Sequence, residues 1–279
     1  MKRYPFGKFI LDIPDDHKII EIHHGAALYD RAFGLMLEEI QRANPTGTIF
    51  DIGGNIGDTA AFIATYVSNP IVSVEGSPVY TEYFKSNQRH FGRQVSLIDK
   101  FVRTEALSKM SLTYGGKEGS GALKVSTSDK LDDEKFVTVD ELIRSVKSNI
   151  ALVKSDTDGF DGYIINDFLA KAKVPLFFEC DTLAIPPGLP NPWPELFSKL
   201  QAGKYSIIVF DNFGLPMFVE GENPERILKD LAGYVHLQRS VHPVRIHYFD
   251  IWAFPPSSKD AFNRAAARLR SDLLKPFGF

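Results

Sequence analysis

Thr48-Ile49-Phe50-Asp51-Ile52-Gly53-Gly54-Asn55-Ile56-Gly57-Asp58 reads as a short apolar strand, a glycine-rich turn and the start of a helix that runs to about Val67. The strand is bounded on its other side by the turn cluster Asn44-Pro45-Thr46-Gly47. Glycines let a backbone turn tightly and let a ligand approach it closely. The helix start behind them leaves backbone N–H groups without partners inside the helix. A strand–turn–helix unit of this kind is where an open α/β sheet takes a nucleotide, beyond the carboxyl ends of its strands.

Outward from this unit, short apolar runs alternate with amphipathic stretches, the pattern of a mostly parallel sheet. Further strands are expected at Ile71–Glu75, Val95–Val102, Ile150–Asp156, Pro175–Glu179, Tyr205–Phe210 and Tyr248–Phe254. Apolar residues at helical spacing predict a covering helix over Ala26–Arg42 and a final helix over about Lys259–Leu274. Pro78 suits the first turn of the helix after the second strand. Tyr114–Lys135, rich in Gly, Ser, Lys and Asp, reads as a long surface excursion. The expected organisation is an N-terminal cap of strands and helix over residues 1–47 and a nucleotide-binding domain over 48–279, forming one structural domain overall.

The chain of 279 residues is 44% hydrophobic and 24% charged, ordinary for a globular protein. A net charge of −3 gives no general pull toward nucleic acid or an anionic membrane. No run approaches the roughly 20 apolar residues of a membrane helix, and Met1–Gly7 lacks a signal-peptide core. The one cysteine, Cys180, gives no sign of an oxidising compartment and reads as a buried thiol. The expectation is a cytoplasmic protein with no nucleic-acid or membrane partner, its oligomeric state left open.

The glycine spacing discriminates between nucleotides. A dinucleotide fingerprint counted from Gly53 needs glycine at positions 55 and 58, which are Asn55 and Asp58. A P-loop needs Gly-Lys-Ser/Thr, which is absent. Asp58 at the helix start opposes a diphosphate and suits a ligand bearing a sulfonium or an amino group, as S-adenosylmethionine does. Glu75, 24 residues beyond Asp51, closes the second strand, where an acid can accept both ribose hydroxyls. Asp51, Gly53, Gly54, Asn55, Gly57, Asp58 and Glu75 are therefore the candidate cofactor residues.

Phe50–Ala60 resembles motif I of the FkbM-type methyltransferases, and Val74-Glu75-Gly76-Ser77-Pro78 resembles their second motif, which adds Gly76 and Ser77 to the cofactor set. Gly119-Ser120-Gly121, Val137–Leu142, Leu152–Gly159 and Leu176–Glu179 are similar to later motifs in the right order. Asp158 stands where that family usually has glutamate, and Ser155 where an apolar residue is common. The resemblance implies a Rossmann-like class I S-adenosylmethionine-dependent methyltransferase fold, with a mostly parallel seven-stranded sheet and helices on both faces. It also implies methylation of a hydroxyl on a carbohydrate or other small molecule.

Transfer to a hydroxyl calls for a general base. The ends of the fourth and fifth strands, Lys154–Gly159 and Glu179–Asp181, should line the same sheet edge as the glycine loop. Asp156 is the preferred base or substrate contact. Lys154 is read as holding a carboxylate or substrate oxygen, or as forming a structural ion pair. Asp156, Glu179 and Asp181 are the candidates for holding Mg²⁺, an oxygen-loving ion, should one be used. His23-His24 could reach the acceptor, and no histidine pair has metal-ligand spacing. The competing functions are a nitrogen- or protein-directed methyltransferase, an NAD-binding oxidoreductase and a non-catalytic nucleotide-binding module. The first lacks an Asn/Asp-Pro-Pro-aromatic motif at the fourth strand end, and the second conflicts with the glycine spacing.

Overall fold

Every residue of Thr48–Ile52 is buried, as a central strand covered on both faces must be. A computed structural model describes residues 2–15, 17–21, 31–108, 112–117, 120–125, 133–238 and 246–274. A hairpin of β1 (Lys2–Phe6) and β2 (Phe9–Ile13) precedes α1 (Arg31–Ala43) and β3 (Thr48–Ile52). Then come α2 (Asp58–Tyr66), β4 (Ile71–Val74), α3 (Pro78–Gln88), β5 (Val95–Ile98) and β6 (Phe101–Arg103). A second hairpin, β7 (Leu112–Lys117) and β8 (Ser120–Val125), leads to β9 (Phe136–Thr138), α4 (Val139–Ser145) and β10 (Ile150–Ser155). After these follow α5 (Asp161–Lys171), β11 (Leu176–Cys180), α6 (Trp193–Ala202) and β12 (Ser206–Asp211). The chain closes with β13 (Pro216–Glu220), α7 (Pro224–Gln238), β14 (Phe249–Phe254) and α8 (Lys259–Arg268).

The main sheet has the order β13-β12-β14-β11-β10-β3-β4-β5. Neighbours from β5 through β11 are parallel, and β14 runs antiparallel to both β11 and β12. The order reverses beside β3, so the glycine turn after that strand lies at a switch point of a Rossmann-like class I fold. Strand side chains alternate between two cores. Phe50, Val153 and Phe178 pack with α4, α5, α6 and α7 on one face. Ile49, Leu152 and Trp252 pack with α1, α2, α3 and α8 on the other. Cys180 belongs to the first core and is buried, as expected of a structural thiol.

Four features differ from the reading of the sequence. The sheet has eight strands rather than seven, because β13 adds to its edge antiparallel to β12. That strand opens on a proline and is half-exposed throughout, so it lacks the buried alternation that marks a strand. The third strand stops at Ile98, because Lys100 N–H turns back to Ile98 C=O (2.9 Å) and Phe101–Arg103 leaves the sheet to pair with β9. Part of the expected surface excursion is the β7–β8 hairpin. The last helix ends its regular α turns at Arg268 and continues as a π-helical stretch over Leu269–Leu274. The covering helix is described from Arg31, and residues 26–30 lie outside the described residues.

Local signals explain the helix starts near the site. Ser77 caps α3 by accepting from Tyr80 N–H, with Pro78 just behind it. Thr138 and Glu141 form a reciprocal capping box on α4. The β1–β2 hairpin is tied down by Asn87 of α3. Its amide donates to Asp12 C=O and Ile56 C=O, and its Oδ1 accepts from Asp12 N–H. One buried side chain thus joins the N-terminal hairpin to the glycine turn.

Candidate active site

The glycine turn is set by conformations that side chains resist. Gly53 has φ +82°, and a Cβ there would run into the carbonyl oxygen of Asp156. Glycine is therefore required for the β3 and β10 ends to touch. Asn55 follows at φ +45°, a left-handed conformation that asparagine tolerates better than most residues. Gly76 is flat against Phe101, whose ring occupies the space of any added Cβ.

Glu75 bridges this turn and the next. Its Oε2 accepts from Asn55 N–H (2.9 Å) and its Oε1 from Ser77 N–H (2.7 Å). Each carboxyl oxygen keeps further acceptor capacity. Burial pushes its pKa up to about 7, against the N–H donors of Ser77 and Asn55. In front of it lies an open cleft. Ile52, Gly53, Asn55, Val74, Gly76, Tyr80, Lys100, Phe101, Val102, Asp156, Thr157, Asp158, Phe160 and Ile164 line it with Glu75.

Behind the turn, one row of side chains crosses three strands at matched register. Ser73 on β4 donates to Asp51 Oδ2 (2.9 Å), and Asp51 Oδ1 meets Lys154 Nζ on β10 at 3.2 Å. Both charged side chains are almost wholly shielded, at 0% and 3% exposure. Lys154 also reaches Gly53 C=O (3.5 Å) and Asp156 Oδ2 (3.6 Å). Burial works against its charge, yet Asp51, Asp156 and Asp58 outweigh that and push its pKa up. Lys154 is thus the counter-ion of Asp51 under the glycine turn, the ion-pair alternative among its two readings.

Asp156 is the exposed acid of the group, with 47% of its side chain open to solvent. The residues either side of it are anchored by Asp161, at the first position of α5. Ser155 Oγ donates to Asp161 Oδ1 (2.6 Å), Thr157 Oγ1 donates to the same oxygen (3.0 Å), and Thr157 N–H donates to Oδ2 (3.2 Å). Burial, then the nearby Asp156, raises the Asp161 pKa to about 6. Ser155, an odd polar residue inside a strand, is accounted for by this bond. Burial also raises Asp158, helped by Asp156. Glu179 on β11 is pushed up to about 11 by burial and by Asp156, Asp161, Asp250 and Asp158 around it.

Of the residues singled out from the sequence, Gly53, Asn55, Glu75, Gly76, Asp156 and Asp158 line the cleft. Asp51, Gly54, Gly57, Asp58, Ser77 and Lys154 stand behind it. Asp58 Oδ1 is buried without a hydrogen-bond partner among the described residues, and burial raises its pKa. Of the Mg²⁺ candidates Asp156, Glu179 and Asp181, the first two lie near enough for their charges to interact. Asp181 Oδ1 is spent on Leu183 and Ala184 N–H, and no group of three or more His, Cys, Asp or Glu among the described residues is arranged to hold a metal. His23 and His24 lie outside the described residues, as does Gly119. The sequence reading missed Phe101, Tyr80, Asp161 and His17. Phe101 could have been found, since it follows the third strand at the ligand-binding edge of the sheet. His17 had no local signal.

Among the described residues no helix is long and apolar enough to cross a membrane. No family model and no curated protein matches the sequence. Similar solved structures include an O-methyltransferase from Bacillus cereus in complex with SAH, at 12% identity and TM-score 0.42, over 87% of this chain and 92% of that one. The plantazolicin methyltransferase BamL, with an SAH and a desmethyl analogue bound, is similar at 10% identity and TM-score 0.43, over 85% and 89%. A precorrin-6y C5,15-methyltransferase from Geobacter metallireducens is similar at 13% identity and TM-score 0.38, over 78% and 84%. Each is a likeness of fold.

Proposed function

We propose that this protein is an S-adenosylmethionine-dependent methyltransferase that acts on a hydroxyl of a carbohydrate or other small molecule. The observation that carries the reading is Glu75, anchored by Asn55 and Ser77 N–H at the mouth of the glycine turn. The lone pairs left on its carboxyl fit the two hydroxyls of a ribose. The glycine turn, with Asp58 at its helix start, disfavours a diphosphate beside them. The FkbM-type affiliation rests on motif order.

The strand ends supply an axis for the ligand. With the ribose at Glu75 just after β4, the base would lie against Phe101 and Val102, and the amino-acid end would run over Gly53 and Asn55 after β3. The cofactor supplies a methyl group on a positively charged sulfur. Asp156, after β10 on the far side, would accept the proton from the acceptor hydroxyl. Lys154 and Asp161 serve it from behind: one meets its Oδ2, and the other pins Ser155 and Thr157 on either side. Holding the reacting atoms in line is the main work left to the protein, worth about 7–11 kcal/mol in well-oriented systems.

Parallel calorimetric titrations with S-adenosylmethionine, S-adenosylhomocysteine and NAD test the reading. Binding of the first two and not the third is expected. Glu75→Ala should weaken S-adenosylmethionine by more than about tenfold, the loss of two charge-assisted hydrogen bonds. NAD binding, or an unchanged affinity in that variant, would remove the basis of the proposal.

A further inference from the structure

β6 and α5 shape a second pocket that shares no lining residue with the cleft. Phe101 and Val102 of β6 line the cleft, whereas Arg103 at the end of that strand lines the second pocket with Thr104. On α5, Ile164 lines the first, and Asp167 and Lys171, further along the same helical stripe, line the second. Thr138, the register partner of Arg103 on β9, lines it too.

The polar groups here are not saturated by the protein. The Arg103 guanidinium lies over the Phe136 ring, 4.0 Å from its centre, and its Nη1 donates to Asp133 Oδ1 (2.6 Å). Nε–H is buried and meets no acceptor among the described residues. The side chain keeps 16% exposure, so part of the planar fork stays open although Nε does not. Thr104 is only 1% exposed, and its hydroxyl has no partner among the described residues. Asp167 Oδ2 accepts from Glu105 N–H (2.9 Å), which leaves Oδ1 to accept from a ligand. Burial raises the Asp167 pKa, against that N–H and the charge of Lys171. Lys171 gives one bond to Asp140 (3.0 Å) and keeps two donors.

The charges around the pocket select what fits it. Arg103 and Lys171 are each matched by an acid, Asp133 and Asp140, while Asp167 and Glu105 add negative charge to the wall. A phosphate or carboxylate would meet that excess. A neutral polyhydroxylated ring brings oxygens that accept from the cations and a hydroxyl proton for Asp167.

We propose that this pocket binds a saccharide unit, with the open edge of Arg103 and Lys171 donating to its hydroxyl oxygens and Asp167 accepting from one of its hydroxyls. The site is distinct from the methyl-transfer cleft, and the inference does not depend on the cofactor reading.

The test titrates the full-length ¹⁵N-labelled protein with glucose, galactose and mannose, and separately with inorganic phosphate, following amide shifts. At least one sugar is expected to shift the amides of Arg103, Thr104, Thr138 and Asp167 saturably, leaving those of the glycine turn in place. Phosphate is expected to leave all of them unmoved. Arg103→Lys keeps the charge and loses the planar fork, and Asp167→Asn keeps an acceptor for Glu105 N–H and loses the charge. Each should weaken that sugar by at least about tenfold, as loss of a hydrogen bond to a charged group does. Affinity for S-adenosylhomocysteine should change by less than about twofold in both. Asp167→Asn is isosteric and decides the matter if Arg103→Lys does not fold. Phosphate saturating the pocket, no saturable shift with any of the three sugars, or sugar binding that both variants leave unchanged would overturn the inference and leave the cofactor reading intact.

Discussion

Asp156 is the acid that the site leaves free to act. Its side chain is nearly half exposed beside the cleft, whereas Asp51, Asp161 and Glu75 are each committed to protein donors. Asp156→Asn keeps the size of the side chain and removes its basicity. Transfer to a hydroxyl should fall at least about 100-fold, the lower end of what a general base contributes. Affinity for S-adenosylhomocysteine should survive, because Glu75 and the glycine turn are untouched. Single-turnover transfer and calorimetry on the same preparation would separate the two, and full transfer would move the base to another group. Asp51, Asp58 and Glu75 were legible in the sequence from their places at strand and turn ends. Their division of labour was not, because burial and partners decide which carboxylate faces a ligand and which faces a lysine.

At the scale of elements, two buried acids are neutralised in different ways. Asp51 on β3 depends on Lys154 of β10, its register partner, and neither reaches water. Glu39 on α1, with no exposure of its own, is met by Arg42, by Arg264 and by Arg268 of α8, whose side chains remain partly in solvent. Removing one partner from a fully buried pair strands a charge, which costs about 3–5 kcal/mol. Lys154→Met should lose about that much stability in urea unfolding. Glu39→Gln leaves arginines that water can still reach and should lose only about 1–2 kcal/mol. The reverse ranking would mean that the β3–β10 pair is not the desolvated one. The parallel strands were visible as apolar runs, and the start of α3 from Pro78. β13 was not, because an edge strand buries too little to leave a pattern.

Taken as a whole, the molecule holds several carboxyl protons that an unfolded chain would release. The folded values of Glu75 (about 7), Asp161 (about 6) and Glu179 (about 11) lie above their ordinary values of 4.5, 3.8 and 4.5. Between about pH 5.5 and 8 the native state therefore binds more protons than the unfolded one. Its stability should fall as pH rises through that window. Urea midpoints at pH 5.5 and pH 8, without ligand, check the sign. Glu179→Gln should make the fall shallower and raise the midpoint at pH 8, since a neutral amide has no proton to lose. A midpoint that rises with pH would place these carboxyls in a more open setting.

Local chemistry in the chain was enough to specify the alternation of strands and helices, the glycine turn and the acid closing the next strand. Each depends on the covalent and conformational properties of a few adjacent residues. The turn needs residues that accept positive φ, and the strand needs apolar side chains on both faces. Bringing Asp161 under Asp156, Lys154 beside Asp51 and His17 onto Asn55 took the folded chain. Those pairs lie from 5 to 103 positions apart, and the largest separations arise where sheet order and the docked N-terminal hairpin override the order of the chain. Proton affinity followed the same rule, because burial and neighbouring charge are properties of the assembled sheet edge.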